Sequence, residues 1–473
     1  MINFTNTYEK LPENFYELTH PEKFKNPELI IFNEALAKEL GIKFENSTKE
    51  ELARIFSGQE TLPGSNPLAM AYAGFQFGHP VPQLGDGRAH LLGETKGKDI
   101  QLKGSGRTKF SRRGDGRSAL GPVLREYIVS EAMNALGVPT TRALCAVTTG
   151  EEVYRQDGPE PGGIFTRVAD SHIRVGTFQY FAFQEDHASI KTLLDYTITR
   201  HYPELRHITD DKEKSIELLK TLVEKQSELV ARWSALGFIH GVMNTDNFSL
   251  GGFTIDYGPC AFMDEFKFNK VFSSIDEGGR YSFFNQVPIA KWNILRLVEC
   301  LLPLIDSDQD SAVKVVENEI LDLMEKFDEK RMIHFSRKLG IENYTKKDDS
   351  LIMDFLKYIE KENLDFTLSF RNLPLLHSSS ESFYPKSEDF ENFKNKWKKR
   401  VTNVSNLDKV NPIYIPRNHQ VQKAIDQAYQ GNFETFHQLI KVTSNPFEES
   451  EEFNEYSLPP KPEERVYQTF CGT

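Results

Sequence analysis

Residues 240–258 read HGVMNTDNFSLGGFTIDYG. Phe248–Leu250 and Phe253–Ile255 are short apolar runs separated by Gly251 and Gly252, a pair able to take the positive φ angles of a type I′ turn. The spacing predicts a tight metal-binding hairpin in which 250 pairs with 253 and 248 with 255, so that Asn247 and Asp256 face each other across the ladder. Directly opposed residues have Cβ atoms about 5 Å apart. An amide oxygen and a carboxylate oxygen at that separation can converge on one Mg²⁺ ion. Asp246, one residue earlier, is free to point elsewhere and is the candidate general base for an acceptor hydroxyl. Taken singly, each of these residues reads better as a turn cap. Their joint register is what favours a metal site.

Upstream, residues 83–106 read QLGDGRAHLLGETKGKDIQLKGSG, with glycines at 85, 87, 93, 97, 104 and 106 among strand-like residues. Glycine lets backbone N–H groups approach phosphate oxygens. This is not a Walker A loop, because three residues separate Gly93 from Gly97 and Lys98 precedes Asp99. Lys103, at the end of a predicted strand, and Glu126, on a helix 23 residues later, match the strand-lysine and helix-glutamate pair that holds phosphates in protein kinases. Alone, such a pair reads as an ordinary surface salt bridge. The order of Gly-rich hairpin, strand Lys, helix Glu, Asp-Asn and Asp makes the kinase reading preferable. Basic residues gather in the same region: Arg88, Arg107, Arg112, Arg113, Arg117, Arg167 and Arg174. Arg167 and Arg174 flank a predicted turn at Asp170 and Ser171, and their guanidinium forks suit one shared anion. Arg107, Arg112 and Arg117 read equally well as surface arginines. His172 and His240 read as structural.

The 473 residues carry a net charge of −12, which disfavours nonspecific binding to nucleic acid or to an anionic membrane, so any phosphate site must be local. No apolar run approaches the roughly 18 residues needed to span a bilayer, and the N-terminus lacks a basic then apolar leader. Four cysteines without a CxxC pair fit a reducing cytoplasm and argue against structural zinc. The expectation is a cytoplasmic monomer without membrane or nucleic-acid partners.

The organisation read from the chain is an N-terminal extension over 1–65, with a helical stretch around PELIIFNEALAKELG ending at Gly41. Residues 66–170 alternate short apolar runs with glycine clusters and read as a twisted sheet with one helix starting near Pro122. Residues 171–330 form a mainly helical unit around KSIELLKTLVEKQSELVARWSALG. Residues 331–473 form a helical C-terminal region with an acidic tail ending in FCGT. The fold class is α+β.

Across these residues the sequence closely resembles the SelO family, also called YdiU, through FGHPVPQLGDGRAHLLGE, the stretch from DIQLKGSG to TTRAL, SHIRVGTFQYFA, HGVMNTDNFSLGGFTIDYGPCAFMD and NPIYIPRNH. The resemblance implies a protein-kinase-like bilobal fold and protein adenylyltransferase activity, with AMP passing from ATP to Ser, Thr or Tyr hydroxyls. Carried over by those motifs, Gly85, Gly87 and Arg88 contact the nucleotide, as do Asp115 and Gly116. Lys103, paired with Glu126, holds a phosphate, and Arg167 and Arg174 grip phosphates. Asn247 and Asp256 bind Mg²⁺ or Mn²⁺, Asp256 beside the nucleotide, and Asp246 accepts the proton. The family binds ATP in an orientation flipped relative to ordinary kinases, with the α-phosphate beside the acceptor. Competing readings are a kinase-type γ-phosphotransferase, UMP transfer from UTP, and a nonenzymatic ATP-binding scaffold. Two departures matter: Cys471 stands where eukaryotic members carry selenocysteine, and the loop over 265–280 lacks the cysteine with which some members pair the tail. A disulfide of that kind is then left with Cys260 or an external thiol as the partner of Cys471.

Overall fold

The structure, a computed structural model, describes residues 2–156, 158–377 and 383–470. It is α+β: an eight-stranded sheet of antiparallel pairs followed by a long helical region. The glycine-punctuated apolar runs form Ala89–Thr95, Lys98–Lys103, Arg142–Arg155 and Gly158–Ala169, as their alternation predicts. Leu120–Ala135 is the predicted helix, laid across the last two of these strands.

The first 65 residues are not a mere extension. Tyr16–Leu18 pairs with Leu68–Met70 at one edge of the sheet, and Glu28–Phe32 pairs with Arg142–Arg155 at the other. The stretch expected to be one helix to Gly41 is therefore a strand over Glu28–Phe32, then a short helix over Glu34–Glu39. Ile and Phe in ELIIF favour a pleated, half-buried edge, and Asn33 caps the helix by accepting from the Leu36 amide.

One face of the sheet buries Ile100, Leu102, Val147 and Ile164 against Phe24, Leu36 and Phe56 from the N-terminal segment. The other buries Ala146 and Phe165 against Leu120, Leu124 and Ile128, and the chain returns to cover that helix with Val421, Phe436 and Leu439. The helical region is built on Asp211–Leu236, which Gly237 ends in the left-handed conformation, and on the buried Gln286–Ile305 helix. No helix among the described residues is long and apolar enough to cross a membrane.

The predicted hairpin over 248–255 does not form. The Phe248 carbonyl instead accepts from the Val175 amide at 3.0 Å, and the Leu250 amide donates to the Ile173 carbonyl at 3.1 Å. Thr254 donates to the Pro139 carbonyl and accepts from the Thr141 amide. Of the two glycines only Gly252 has a positive φ, so the type I′ geometry is absent. Each arm satisfies its backbone on a different remote segment, which leaves no ladder between them.

Candidate functional site

Lys98–Lys103 alternates its side chains, so Gln101 and Lys103 leave the same face of the sheet. Register places Arg167 opposite Gln101 and Phe165 opposite Lys103. On the helix above, Glu126 is 3% exposed and accepts from Lys103 Nζ at 2.7 Å and Arg167 Nη1 at 3.3 Å. Lys103 also pairs with Asp256, and Arg167 reaches the same Asp256 oxygen at 3.4 Å. The expected strand-lysine and helix-glutamate pair is present as the centre of a four-residue ionic cluster.

Asp256 has φ 71°, a left-handed conformation that Asp and Asn tolerate better than other side-chain-bearing residues. Burial acts to raise its carboxyl, but Lys103 and Arg167 outweigh this and hold it well below the usual carboxylate range. Asn247 ends a 3-10 turn over Thr245–Asn247 and donates its Nδ2 to the Val242 carbonyl at 3.1 Å. That leaves its Oδ1 for a cation. Asn247 and Asp256 line one inner cavity of about 30 Å³ with Arg88, Lys103 and Glu126. The two thus meet without the hairpin that predicted their meeting.

A wider cleft of about 640 Å³ shares Arg88 with it and is lined by Tyr72, Gly85, Gly87, Asp115, Gly116 and Asp246. Gly85 has φ 73°, and a Cβ there would stand 2.2 Å from the Phe110 ring, so only glycine lets this loop close over Phe110. The Gly116 carbonyl accepts from the Gly106 amide at 3.0 Å. Asp115 accepts from the Arg117 amide at 2.9 Å and from Arg155 at 2.8 Å. Burial acts to raise the Asp115 carboxyl, and these bonds outweigh it to give a net lowering.

Asp246 is buried in the cleft wall, and its Oδ1 has no hydrogen-bond partner among the described residues. Burial pushes its carboxyl up to about 6 against the opposing pull of Arg174. Arg174 lies behind it, donating to the Asp246 carbonyl at 3.0 Å and to the His172 carbonyl at 3.2 Å, over the Tyr72 ring. Arg167 and Arg174 are 2% and 3% exposed and are not among the residues that line either cavity. His240 holds the Ile255 carbonyl at 2.9 Å, and His172 pairs with Asp99 at 3.0 Å, the structural roles expected of them.

Sequence reasoning missed Asp86 and Gln101. Gln101 donates to Asp86 at 3.1 Å and accepts from Arg167 at 2.6 Å, while Asp86 lies 4.0 Å from Arg174. The period-2 alternation of DIQLK already put Gln101 beside Lys103, but the strand opposite was not readable. The tail reaches the site as well. Thr469 bonds Phe272 and Ser274 through its backbone and the Pro259 carbonyl through its Oγ1 at 2.6 Å. Cys471 lies outside the described residues. Cys260 is 1% exposed and burial pushes its thiol up to about 12, which disfavours it as a redox partner.

The family model for protein adenylyltransferase SelO matches residues 1–444. The chain belongs to the SelO family. It is 47% identical to the protein nucleotidyltransferase YdiU of Nitrosococcus oceani, over 100% of this chain and 97% of that protein. The protein of the same description from Agrobacterium fabrum is 48% identical over the full length of both, and that from Rhodopseudomonas palustris 48% over 99% of each. The expectation of a SelO-family nucleotidyltransferase, drawn from the motifs, is borne out at full coverage.

Proposed function

We propose that this SelO-family chain is a protein adenylyltransferase of kinase-like bilobal architecture that moves AMP from ATP to Ser, Thr or Tyr hydroxyls of protein acceptors, as a cytoplasmic monomer. One observation carries the reading. A carboxyl whose buried oxygen has no partner among the described residues, Asp246, lines a wide cleft that shares Arg88 with a small cavity lined by two oxygen donors and a lysine. The strand-lysine and helix-glutamate pair supports the kinase-like comparison.

The inner donor set fits a hard divalent cation, Mg²⁺ or Mn²⁺. Among the described residues no group of three or more His, Cys, Asp or Glu makes a metal cage. One carboxylate plus one amide oxygen, completed by substrate phosphates, is the usual mode for Mg²⁺. When bound, such a cation neutralises phosphate charge and polarises the phosphoryl oxygen. Lys103, fixed by Glu126, and Arg88 hold phosphate oxygens, and the buried Arg167 and Arg174 add positive charge. Gly85, Gly87, Asp115 and Gly116 bound the nucleoside end. Asp246 takes the acceptor proton as the acceptor oxygen bonds the α-phosphorus and pyrophosphate leaves.

The test is incubation with ATP labelled at the α- or the γ-phosphate, using wild type and Asp246→Asn. Adenylyl transfer puts α-label on protein in the wild type alone. γ-Label on protein would convert the reading to a phosphotransferase, and no label to a scaffold.

A further inference from the structure

The loop between the Gly-rich strands and the Leu120–Ala135 helix carries a strained turn just before Asp115 and Gly116. The Gly114 amide donates to the Ser111 carbonyl at 2.7 Å, closing a four-residue turn with Arg112 and Arg113 at its tip. Arg112 has φ 51° and ψ −112°, the geometry of the first central position of a type II′ turn, where glycine is the usual residue. A side chain there strains the backbone, and such strain persists only where the surroundings enforce it. They do: Thr108 donates its amide to Ser111 Oγ at 2.8 Å and its hydroxyl to the Asp86 carbonyl at 2.8 Å, while Ser111 Oγ donates to the Gly87 carbonyl. The turn is thereby fastened to the loop that bounds the cleft.

Both tip arginines are exposed, line the same cleft as Asp246, and have no ion pair or hydrogen bond among the described residues. Two other arginines of that cleft are paired with carboxylates, Arg117 with Glu22 and Glu151 and Arg155 with Asp115. Lys103 and the buried arginines already serve the inner, metal-side end. Two guanidinium groups without a carboxylate partner among the described residues thus line the cleft of a protein whose net charge is −12 and whose overall field repels acidic partners.

We propose that the Ser111–Gly114 turn is a docking element for the protein acceptor, selecting a segment with Asp or Glu within a few residues of the modified hydroxyl. The proposal rests on the adenylyltransferase reading, which makes a protein the second substrate. A hydroxyl at Asp246 stands in the cleft that Arg112 and Arg113 also line, so residues flanking it pass within the same cleft. Guanidinium forks match carboxylates in geometry as well as charge. Fixing them on a strained turn lowers the ordering cost of docking.

The test uses the full chain and two fluorescent peptides with one Ser each, flanked by Asp and Glu in the first and by Asn and Gln in the second. Anisotropy should show the acidic peptide bound about fivefold to tenfold more tightly at low salt, a preference that shrinks as salt rises. Arg112→Gly and Arg113→Ala should each erase most of that preference while ATP affinity, read by calorimetry, stays at the wild-type value. Arg112→Gly relieves the backbone strain, so its Tm should match or exceed wild type while docking is lost, a combination that a merely structural arginine cannot give. Equal binding of the two peptides by wild type, or loss of ATP affinity in step with peptide affinity, overturns the proposal. Absence of α-label transfer by wild type overturns the underlying activity instead, and the two failures are read in separate assays.

Discussion

Replacing Glu126 by Gln keeps the shape of the side chain and removes the charge that Lys103 and Arg167 share. At 3.3 Å from Arg167 the direct attraction is about 5 kcal/mol at an effective dielectric of 20. Desolvation offsets part of this, Asp256 remains as a partner for both cations, and the amide oxygen still accepts one bond. The expected loss is at the low end for breaking a buried pair, about 3 kcal/mol. Unfolding entropy of about 2.1 cal/mol/K per residue, taken over 473 residues, gives about 1 kcal/mol/K. The Tm of the nucleotide-free variant should therefore fall by about 3 °C. Saturating MgATP restores negative charge beside Lys103 and Arg167, so the gap should narrow when Tm is read with nucleotide. Transfer should not recover. Lys103 without its fixed partner misplaces the phosphates, and α-label transfer should drop by about a hundredfold, with a smaller change in ATP affinity. A Glu126→Gln protein that transfers AMP at the wild-type rate would refute the assignment of this pair to the reaction.

Other perturbations read other parts of the site. Asp246→Asn should lower α-label transfer by about 10²- to 10⁴-fold while calorimetry shows ATP still bound; retained transfer would remove Asp246 as the base. Gly74→Ala places a Cβ 2.5 Å from Asp246 Oδ1, so kcat should fall with little change in KM for ATP, and an unchanged kcat would show that the carboxyl position is not critical. Asp256→Asn should abolish Mg²⁺-dependent transfer, and it is a cleaner probe than Asp256→Ala because Asn tolerates φ 71°. Lys338 is buried over the Phe366 and Phe370 rings, and burial lowers its ammonium from the ordinary lysine range to about 7. The folded protein then holds fewer protons than the unfolded chain between about pH 7 and the ordinary lysine value, so this group makes stability rise with pH across that window. Lys338→Met should flatten the dependence of Tm on pH there and raise Tm at pH 7; an equally steep curve would count against the assignment.

The strands of the sheet and the helices over Leu120–Ala135 and Asp211–Leu236 were legible because short apolar runs between glycine-rich turns mark strands, and apolar residues at helical spacing mark helices, whatever they pack against. Lys103 and Glu126 were legible because a strand end and a helix face can be placed by that same periodicity. The 248–255 segment was misread for the complementary reason. Two apolar runs flanking Gly-Gly look alike whether they pair with each other or, as here, with Val175 and Thr141 from remote parts of the chain. Asn247 and Asp256 nonetheless line one cavity, brought there by a route other than the hairpin. Glu28–Phe32 was read as helix because it runs straight into a true helix, and the strand that claims it begins more than a hundred residues later. The link from Asp86 through Gln101 to Arg167 depends on cross-strand register, which one strand cannot specify by itself.

The two edge strands of the sheet both come from the first 32 residues, one at each side. During synthesis these segments leave the ribosome before either partner exists, since Leu68–Met70 and Arg142–Arg155 follow much later. They must wait as unpaired chain and then close the sheet from both sides, like a buckle fastened last. Until then the Leu68–Met70 and Arg142–Arg155 edges are bare templates for pairing with another chain. A shortened N-terminus should leave those edges open in the finished protein, so that self-association, rather than a missing catalytic group, becomes the defect such a truncation reveals.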